Sequence, residues 1–352
     1  MKLPPLDYAP KVRPFRHGIG VVGAGGIVRD AHLPAYKKAG YRVAGVCDVR
    51  KEAADAAAAR FGVPFSTCDF RQLLDRRDVD VIDVAIPDEG RLEVIREAAA
   101  RGKHVLAQKP LAYSLSAARE IVETCEKAGV VLAVNQNARF GPEYRAARNL
   151  ARSGFLGEVY AVFFDMRNST DSAEWATSGW YAREPRFQIL LWSIHDVDLV
   201  RFFMGEEPTR VFASILTKPG QNFRGEVSAT MTLEFERGRQ AVILAHNASL
   251  PGREGYMRFT IEGTRGMVDG QVSPPRAFEV RHVDDPDAVT RPRLSGEWYP
   301  DGFVGTMSDF LAAIEDGRAP EVTGRDHLKT LGIVESLYRS AAEGVALPPA
   351  AS

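Results

Sequence analysis

The feature that most constrains this chain is a short apolar run, residues 18–22, that passes directly into Gly23-Ala24-Gly25-Gly26-Ile27-Val28. A glycine-rich turn between a strand and a helix strips side chains from the backbone, leaving bare amides at a helix N-terminus, an arrangement that cradles a pyrophosphate. The spacing is close to G-x-G-x-x-G, with Val28 where the third glycine stands. That position ordinarily admits close packing of helix on strand, and Gly26 is the residue left to supply slack. A second apolar run ends in Asp48. A carboxylate there accepts the hydroxyls of an adenosine ribose and repels a 2′-phosphate, which favours NAD over NADP. Arg50, two residues on, is placed to stack on adenine or meet a phosphate. Asp48 has a plainer alternative, as N-cap of a helix opened by Lys51.

Between residues 17 and 140, apolar runs at 18–22, 43–47, 81–86, 104–107 and 130–134 alternate with amphipathic stretches. In those stretches Leu92, Ile95, Ala98 and Ala99, then Ala118, Ile121, Val122 and Cys125, recur at helical spacing. The alternation predicts β-α-β units about a parallel, doubly wound sheet, a Rossmann domain. Lys51–Phe61, alanine-rich and free of Gly and Pro, reads as one of its helices. Residues 1–16, rich in proline, form an N-terminal arm. Over 141–352 the texture changes. Ala229, Met231, Leu233 and Phe235 alternate with Ser228, Thr230, Thr232 and Glu234, and Met257, Phe259 and Ile261 repeat the pattern. Such strands have one wet face and belong to an antiparallel or mixed sheet, hence an α+β second domain. Helices are expected near 143–152, 309–315 and 327–342.

Composition closes off several functions. With 45 basic and 46 acidic side chains in 352 residues, the chain lacks the basic surplus that nucleic-acid binding requires. No run approaches the roughly twenty apolar residues of a membrane span, and the N-terminal arm lacks the apolar core of a signal peptide. Three cysteines, none in a C-x-x-C pair, indicate neither a disulfide framework nor a cysteine zinc site and suit a reducing cytoplasm. No cluster of metal-ligating side chains surrounds His195 beyond Asp196 and Asp198, so no metal is expected.

Four stretches carry a resemblance: GAGGIVRDAHLPAY at 23–36, GKHVLAQKPLA at 102–112, FLGEV at 155–159 and IVESLYRSA at 333–341. Together they resemble the glucose-fructose oxidoreductase / inositol dehydrogenase / rhizopine catabolism family, over nearly the whole chain after residue 17. The resemblance implies an NAD(P)-dependent oxidoreductase that moves hydride to or from a hydroxyl-bearing carbon of a sugar, polyol or glycoside. It also implies a C-terminal domain with a large open sheet, mainly antiparallel, that makes homodimer or homotetramer contacts. The cofactor-binding residues it implies are Gly23, Gly25, Gly26, Ile27, Asp48, Arg50, Ile86, Pro87, Gln108, Lys109, Pro110 and Asn137.

In the family's G-K-H-V-x-x-E-K-P-x-A signature the lysine reaches the substrate hydroxyl, and that position here is Lys109. An ammonium there stabilises a developing alkoxide; the plainer alternative is a solvated charge at a strand end. Gln108 replaces the family's acid, keeping a hydrogen-bonding group and losing the charge. Ile194-His195-Asp196-Val197-Asp198 resembles the family's D-x-G-x-H-x-x-D stretch, whose histidine is the general acid/base, a role imidazole suits near neutral pH. Among Leu190, Leu191, Ile194, Val197 and Leu199 the alternative is a satisfied core histidine. Leu191 stands in place of the motif's acid and Ser193 in place of its small residue, while Asp198 either orients His195 or joins a local network. Arg139 in the loop after the sixth strand, and Trp175, Trp180, Tyr181 and Arg186 before the histidine, are candidate sugar contacts or else a core edge. Two other readings stay open. One is a lyase, hydrolase or epimerase that retains NAD and oxidises transiently. The other is a non-catalytic dinucleotide-binding regulator, which Leu191 and Gln108 suit and the presence of both Lys109 and His195 opposes.

Overall fold

The computed structural model describes residues 2–177, 179–251 and 255–352, with Trp175 by its backbone alone, so that this candidate's side chain lies outside the described residues. The chain divides into two compact units. The first comprises Ala9–Gly141 with Glu297–Leu328; the second comprises Pro142–Gly296, Lys329–Ser352 and the segment ending at Tyr8.

Among the described residues, the first unit holds β1 (Ile19–Val22), β2 (Val43–Cys47), β3 (Ser66–Thr67), β4 (Val81–Val84), β5 (His104–Gln108) and β6 (Leu132–Asn135). Every pairing is parallel and the order is β3-β2-β1-β4-β5-β6. Apart from β3 and the buried Asp83 of β4, the strand interiors read as apolar runs because helices cover the sheet. These helices are α1 (Leu33–Ala39), α2 (Lys51–Phe61), α3 (Phe70–Leu74), α4 (Arg91–Ala100) and α5 (Leu115–Lys127). In α5 the Ser114 hydroxyl accepts the Ala117 amide at 3.2 Å as N-cap, and Leu115, Ala118, Ile121, Val122 and Cys125 are the buried face. The strand order reverses between β1 and β4, so the loops leaving their carboxyl ends diverge and open a crevice.

In the second unit, α6 (Pro142–Arg152) leads to β7 (Val159–Arg167), the short α7 (Glu174–Thr177) and α8 (Ile194–Met204). There follow β8 (Arg210–Leu216), β9 (Ser228–Glu234), β10 (Gln240–His246), β11 (Tyr256–Gly263), β12 (Gly266–Gln271), β13 (Ala277–His282) and β14 (Asp285–Thr290). The sheet runs β14-β13-β12-β11-β7-β10-β9-β8, antiparallel except for β7 against β10. Its inner face carries Phe164 and Phe259, which meet Tyr144 of α6 and Phe203 of α8 at ring separations of 5.1–6.4 Å. Phe212, Thr232, Val242, Phe163 and Thr260 sit side by side across the other face, where Phe163 and Phe212 are well exposed.

The last helices are α9 (Phe303–Asp316) and α10 (Gly324–Glu343). The sequence boundary put everything after residue 140 in one domain, whereas α9 belongs to the first unit. Its Phe303, Val304, Met307, Phe310 and Leu311 share a core with Ile19, Val21 and Tyr36, each buried side chain contributing on the order of 1.5–3 kcal/mol. The Tyr41 hydroxyl meets that of Ser308 at 2.5 Å, and Thr323 bridges to Ala133 of β6. Periodicity shows that a helix has an apolar face; it does not say which sheet the face covers. No helix among the described residues is long and apolar enough to cross a membrane.

Candidate active site

The crevice of the first unit is floored by the glycine turn. Gly23 has φ +108, and a Cβ there would stand 2.4 Å from the Ala85 carbonyl oxygen, so only glycine passes beneath the end of β4. A Cβ on Gly25 would meet nothing within 4 Å, and one on Gly26 only Asp30 Oδ2 at 3.8 Å. The backbone there lies bare, with the room a pyrophosphate needs. Val28 is fully buried, and the chain enters α1 through a widened turn in which the Leu33 amide donates to the Val28 carbonyl. That wider turn makes room for a side chain where a third glycine ordinarily packs.

Asp48 faces this turn. Its Oδ2 accepts the Ala24 amide at 2.8 Å, and its Oδ1 accepts the Arg50 amide at 3.0 Å and lies 3.5 Å from Arg50 Nε. The N-cap of α2 is Arg50, without a side-chain cap, so Asp48 serves the glycine turn rather than the helix. A carboxylate has about four acceptor sites, which leaves capacity toward the crevice.

At the end of β5, Gln108 Oε1 accepts the Lys109 amide at 3.0 Å. Lys109 is half-buried, and the segment after it is tied down by three side chains. Arg91, the first residue of α4, is 3% exposed; its guanidinium donates to the carbonyls of Pro110, of Leu111 at 3.1 Å and of Ile86 at 2.5 Å. Asp88 Oδ1 accepts the Tyr113 amide at 3.2 Å, and His327 Nε2 accepts the Leu111 amide at 3.3 Å. The loops bearing Ile86 and Pro87 and bearing Lys109 and Pro110 are therefore laced together. Asn137 is buried, its Oδ1 accepting from Trp298 Nε1 at 2.6 Å and its Nδ2 donating to the Asn135 carbonyl at 3.3 Å. Arg139, also buried, pairs with Asp326 at 2.8 Å.

The remaining candidates lie in the second unit. His195 is the second residue of α8 and 7% exposed. The turn before it is held by a buried neutral chain: Thr170 Oγ1 donates to Asn247 Oδ1 at 2.9 Å, Asn247 Nδ2 to Gln188 Oε1 at 2.6 Å, and Gln188 Nε2 to Ser193 Oγ at 3.1 Å. Leu191 is buried where the resembling motif carries an acid. Asp198 takes part in a local network, accepting from Thr330 Oγ1 at 2.9 Å beside Arg201, which forks onto Glu207 at 2.6 and 2.8 Å.

Trp180 and Tyr181 have ring centroids 4.5 Å apart, and burial raises the Tyr181 pKa above its ordinary value. Arg186 lies over the Tyr338 ring at 4.6 Å and 4.0 Å from Glu335. The Tyr338 hydroxyl donates to Glu226 Oε1 at 2.5 Å and accepts the Leu190 amide at 3.1 Å. Glu226 in turn accepts the Phe187 and Ile189 amides at 3.3 and 3.1 Å. Burial, then the neighbouring Glu226 carboxylate, pushes the Tyr338 phenol far above the usual range. Sequence reasoning gave no role to Arg91, Gln188, Glu226, Asn247 or Tyr338, because each reads locally as an ordinary polar residue and acquires at least one partner from a distant segment. No group of three or more His, Cys, Asp or Glu side chains among the described residues is arranged to hold a metal ion.

Residues 17–136 match the model of an oxidoreductase family with an NAD-binding Rossmann fold, and residues 144–269 match the GFO/IDH/MocA C-terminal domain. The chain is 30% identical over 334 residues to a D-apiose dehydrogenase of Paraburkholderia graminis, covering 92% of this chain and 87% of the relative. It is 27% identical over 332 residues to an inositol 2-dehydrogenase of Rhizobium meliloti, with 92% and 96% covered. In fold it is similar to a levoglucosan dehydrogenase solved with NADH and levoglucosan, at a TM-score of 0.83 and 21% identity, with 95% and 99% covered.

Proposed function

The chain belongs to the GFO/IDH/MocA oxidoreductase family, with its NAD-binding Rossmann domain, and from that premise we propose that it moves hydride between NAD and a hydroxyl-bearing carbon of a sugar, polyol or glycoside, with Lys109 and His195 at the reacting oxygen. The observation that most supports the cofactor half is the Asp48 carboxylate seated on the glycine turn at the Ala24 amide. From there it accepts ribose hydroxyls and opposes a 2′-phosphate, hence NAD before NADP. Gly23, Gly25, Gly26 and Ile27 cradle the pyrophosphate; Arg50, Ile86, Pro87, Gln108, Pro110 and Asn137 complete the bed, Asn137 through its backbone because its side chain is engaged with Trp298.

Bound NAD supplies the hydride acceptor. The Lys109 ammonium holds the substrate oxygen and stabilises the alkoxide that develops as the hydroxyl proton leaves and that becomes the carbonyl as hydride departs. His195 takes the hydroxyl proton during oxidation and returns it during reduction. Trp180 offers an exposed ring face to the sugar, and Tyr181 and Arg186 flank it; Arg139, paired with Asp326, orders the substrate side of its loop. The dehydrogenase names of the D-apiose and inositol relatives agree in reaction type. We further assign the open sheet face with Tyr160, Phe163 and Phe212 to a homodimer or homotetramer contact, and the cytoplasm as the site of action. Light scattering on the chain and on Phe163→Glu checks the first: a monomer in both overturns it.

The direct test offers aldoses, inositols and glycosides with NAD and with NADP and follows NADH or NADPH absorbance. Cofactor reduction by one class, faster with NAD, is expected. If NAD binds and none of these alcohols reduces it, nor any carbonyl counterpart oxidises NADH, net hydride transfer is the wrong reading.

A further inference from the structure

One buried charge in the first unit has no part in that chemistry. Arg91 opens α4 with its side chain almost wholly removed from solvent, and burial lowers its pKa. Sequestering a guanidinium is costly unless its donors find partners. Its partners are backbone carbonyls from two loops, Ile86 after β4 and Pro110 with Leu111 after β5. A guanidinium presents five N–H groups in a rigid planar fork, so one side chain spans both loops at a fixed separation. An ammonium is a single point and cannot. One of the clasped loops holds the residue next to Lys109, and the other holds two residues assigned to the cofactor bed.

We propose that Arg91 is a positioning residue, which clasps the Lys109 segment to the Ile86–Pro87 loop and so holds the Lys109 ammonium in register with the bound cofactor. This inference rests on the assignment of Lys109 to the reacting oxygen. His327 and Asp88 anchor the same segment one and three residues further on, at Leu111 and Tyr113, while Arg91 grips the carbonyl of Pro110 and also reaches the cofactor loop. Loss of the clasp frees the lysine end of the segment first. A displacement of about 1 Å at a reacting group is worth about 10²-fold in rate.

The test uses Arg91→Lys and Arg91→Met in the full chain, each alone and combined with Lys109→Ala. D-apiose and myo-inositol serve as probe alcohols with NAD, and amide hydrogen exchange is followed at 86–88 and 109–113. Arg91→Lys is expected to stay folded and bind NAD within about threefold of wild type, lose about tenfold or more in kcat with little change in KM, and exchange faster at Leu111 while the rest of the unit keeps its protection. Added to Lys109→Ala, it should cost little more, because it acts through Lys109. Unchanged kcat and local exchange, or losses that multiply in the double variant, would overturn the proposal. A general rise in exchange would reduce Arg91 to a core residue and also overturn it. If Arg91→Met does not fold, Arg91→Lys decides; if neither alcohol is turned over, local exchange decides. Failure of the Lys109 assignment looks different: Lys109→Ala by itself then keeps wild-type turnover.

Discussion

The segment that carries Lys109 and the segment that leads to His195 are both fixed from outside, by opposite means. Around Lys109 a single guanidinium grips carbonyls of two loops. Before His195 the hold is spread over the neutral chain Thr170–Asn247–Gln188–Ser193 and over Glu226, which gathers two amides and the Tyr338 hydroxyl. Hydrogen bonds to a charged group contribute about 1.5–3 kcal/mol each, against about 0.5–1.5 for neutral ones. The first arrangement thus concentrates most of its hold in one residue, with Asp88 and His327 adding one amide contact each. The second distributes it through a network whose members polarise one another, so that each depends on the rest.

The largest effects should come from the two groups these segments present. Lys109→Ala and His195→Ala are each expected to lower kcat by about 10²-fold or more while NAD affinity stays nearly intact. The double variant should be little worse than the poorer single one, as for two groups acting on one oxygen. Independent, multiplying losses would separate the two segments functionally, and near wild-type turnover in His195→Ala would move the proton transfer elsewhere, with Lys109 the next candidate.

Next in size is the glycine turn, the part of the first unit that Arg91 does not touch. Asp48→Ala removes a charged acceptor from the ribose and from the Ala24 amide. By the energy of a charged hydrogen bond, NAD affinity should fall about tenfold or more, with a narrower gap to NADP. Calorimetry showing equal, unchanged affinities for both would remove Asp48 from the site.

A smaller effect probes the neutral network. Asn247→Leu strands buried groups on Thr170 and Gln188 and should cost about 1–3 kcal/mol, or roughly 2–10 °C in melting temperature for a unit of this size. It should slow turnover less than Arg91→Lys does. A greater kcat loss in Asn247→Leu than in Arg91→Lys would reverse the contrast between concentrated and distributed rigidity.

The smallest effect appears at high pH. Burial and Glu226 raise the folded-state pKa of Tyr338, so the unfolded chain ionises first. Stability from this group is complete below the unfolded value of about 10 and declines as pH rises beyond it, because only the unfolded state gains by losing the proton. Tyr338→Phe should therefore flatten the alkaline decline in melting temperature above about pH 10. An unaltered decline would mean that other tyrosines account for it.

Read alone, the sequence determined the parts whose cause is local. A glycine turn after a strand, an acid closing the next, and apolar spacing that switches from helical to alternating reflect backbone sterics and one-dimensional burial patterns. From them followed the β-α-β half, strands β9 and β11 of the second unit and α2 over Lys51–Phe61. Resemblance in the short motifs added the family. Tertiary structure alone decided that α9 packs on the first unit's core with Ile19 and Tyr36, that Asp48 turns to Ala24 instead of capping α2, and that Arg91 is buried against two loops. Each of these includes a contact with a residue outside the local segment. Its partner is chosen by how sheets and helices stack in space, so composition and periodicity near the residue carry no trace of it.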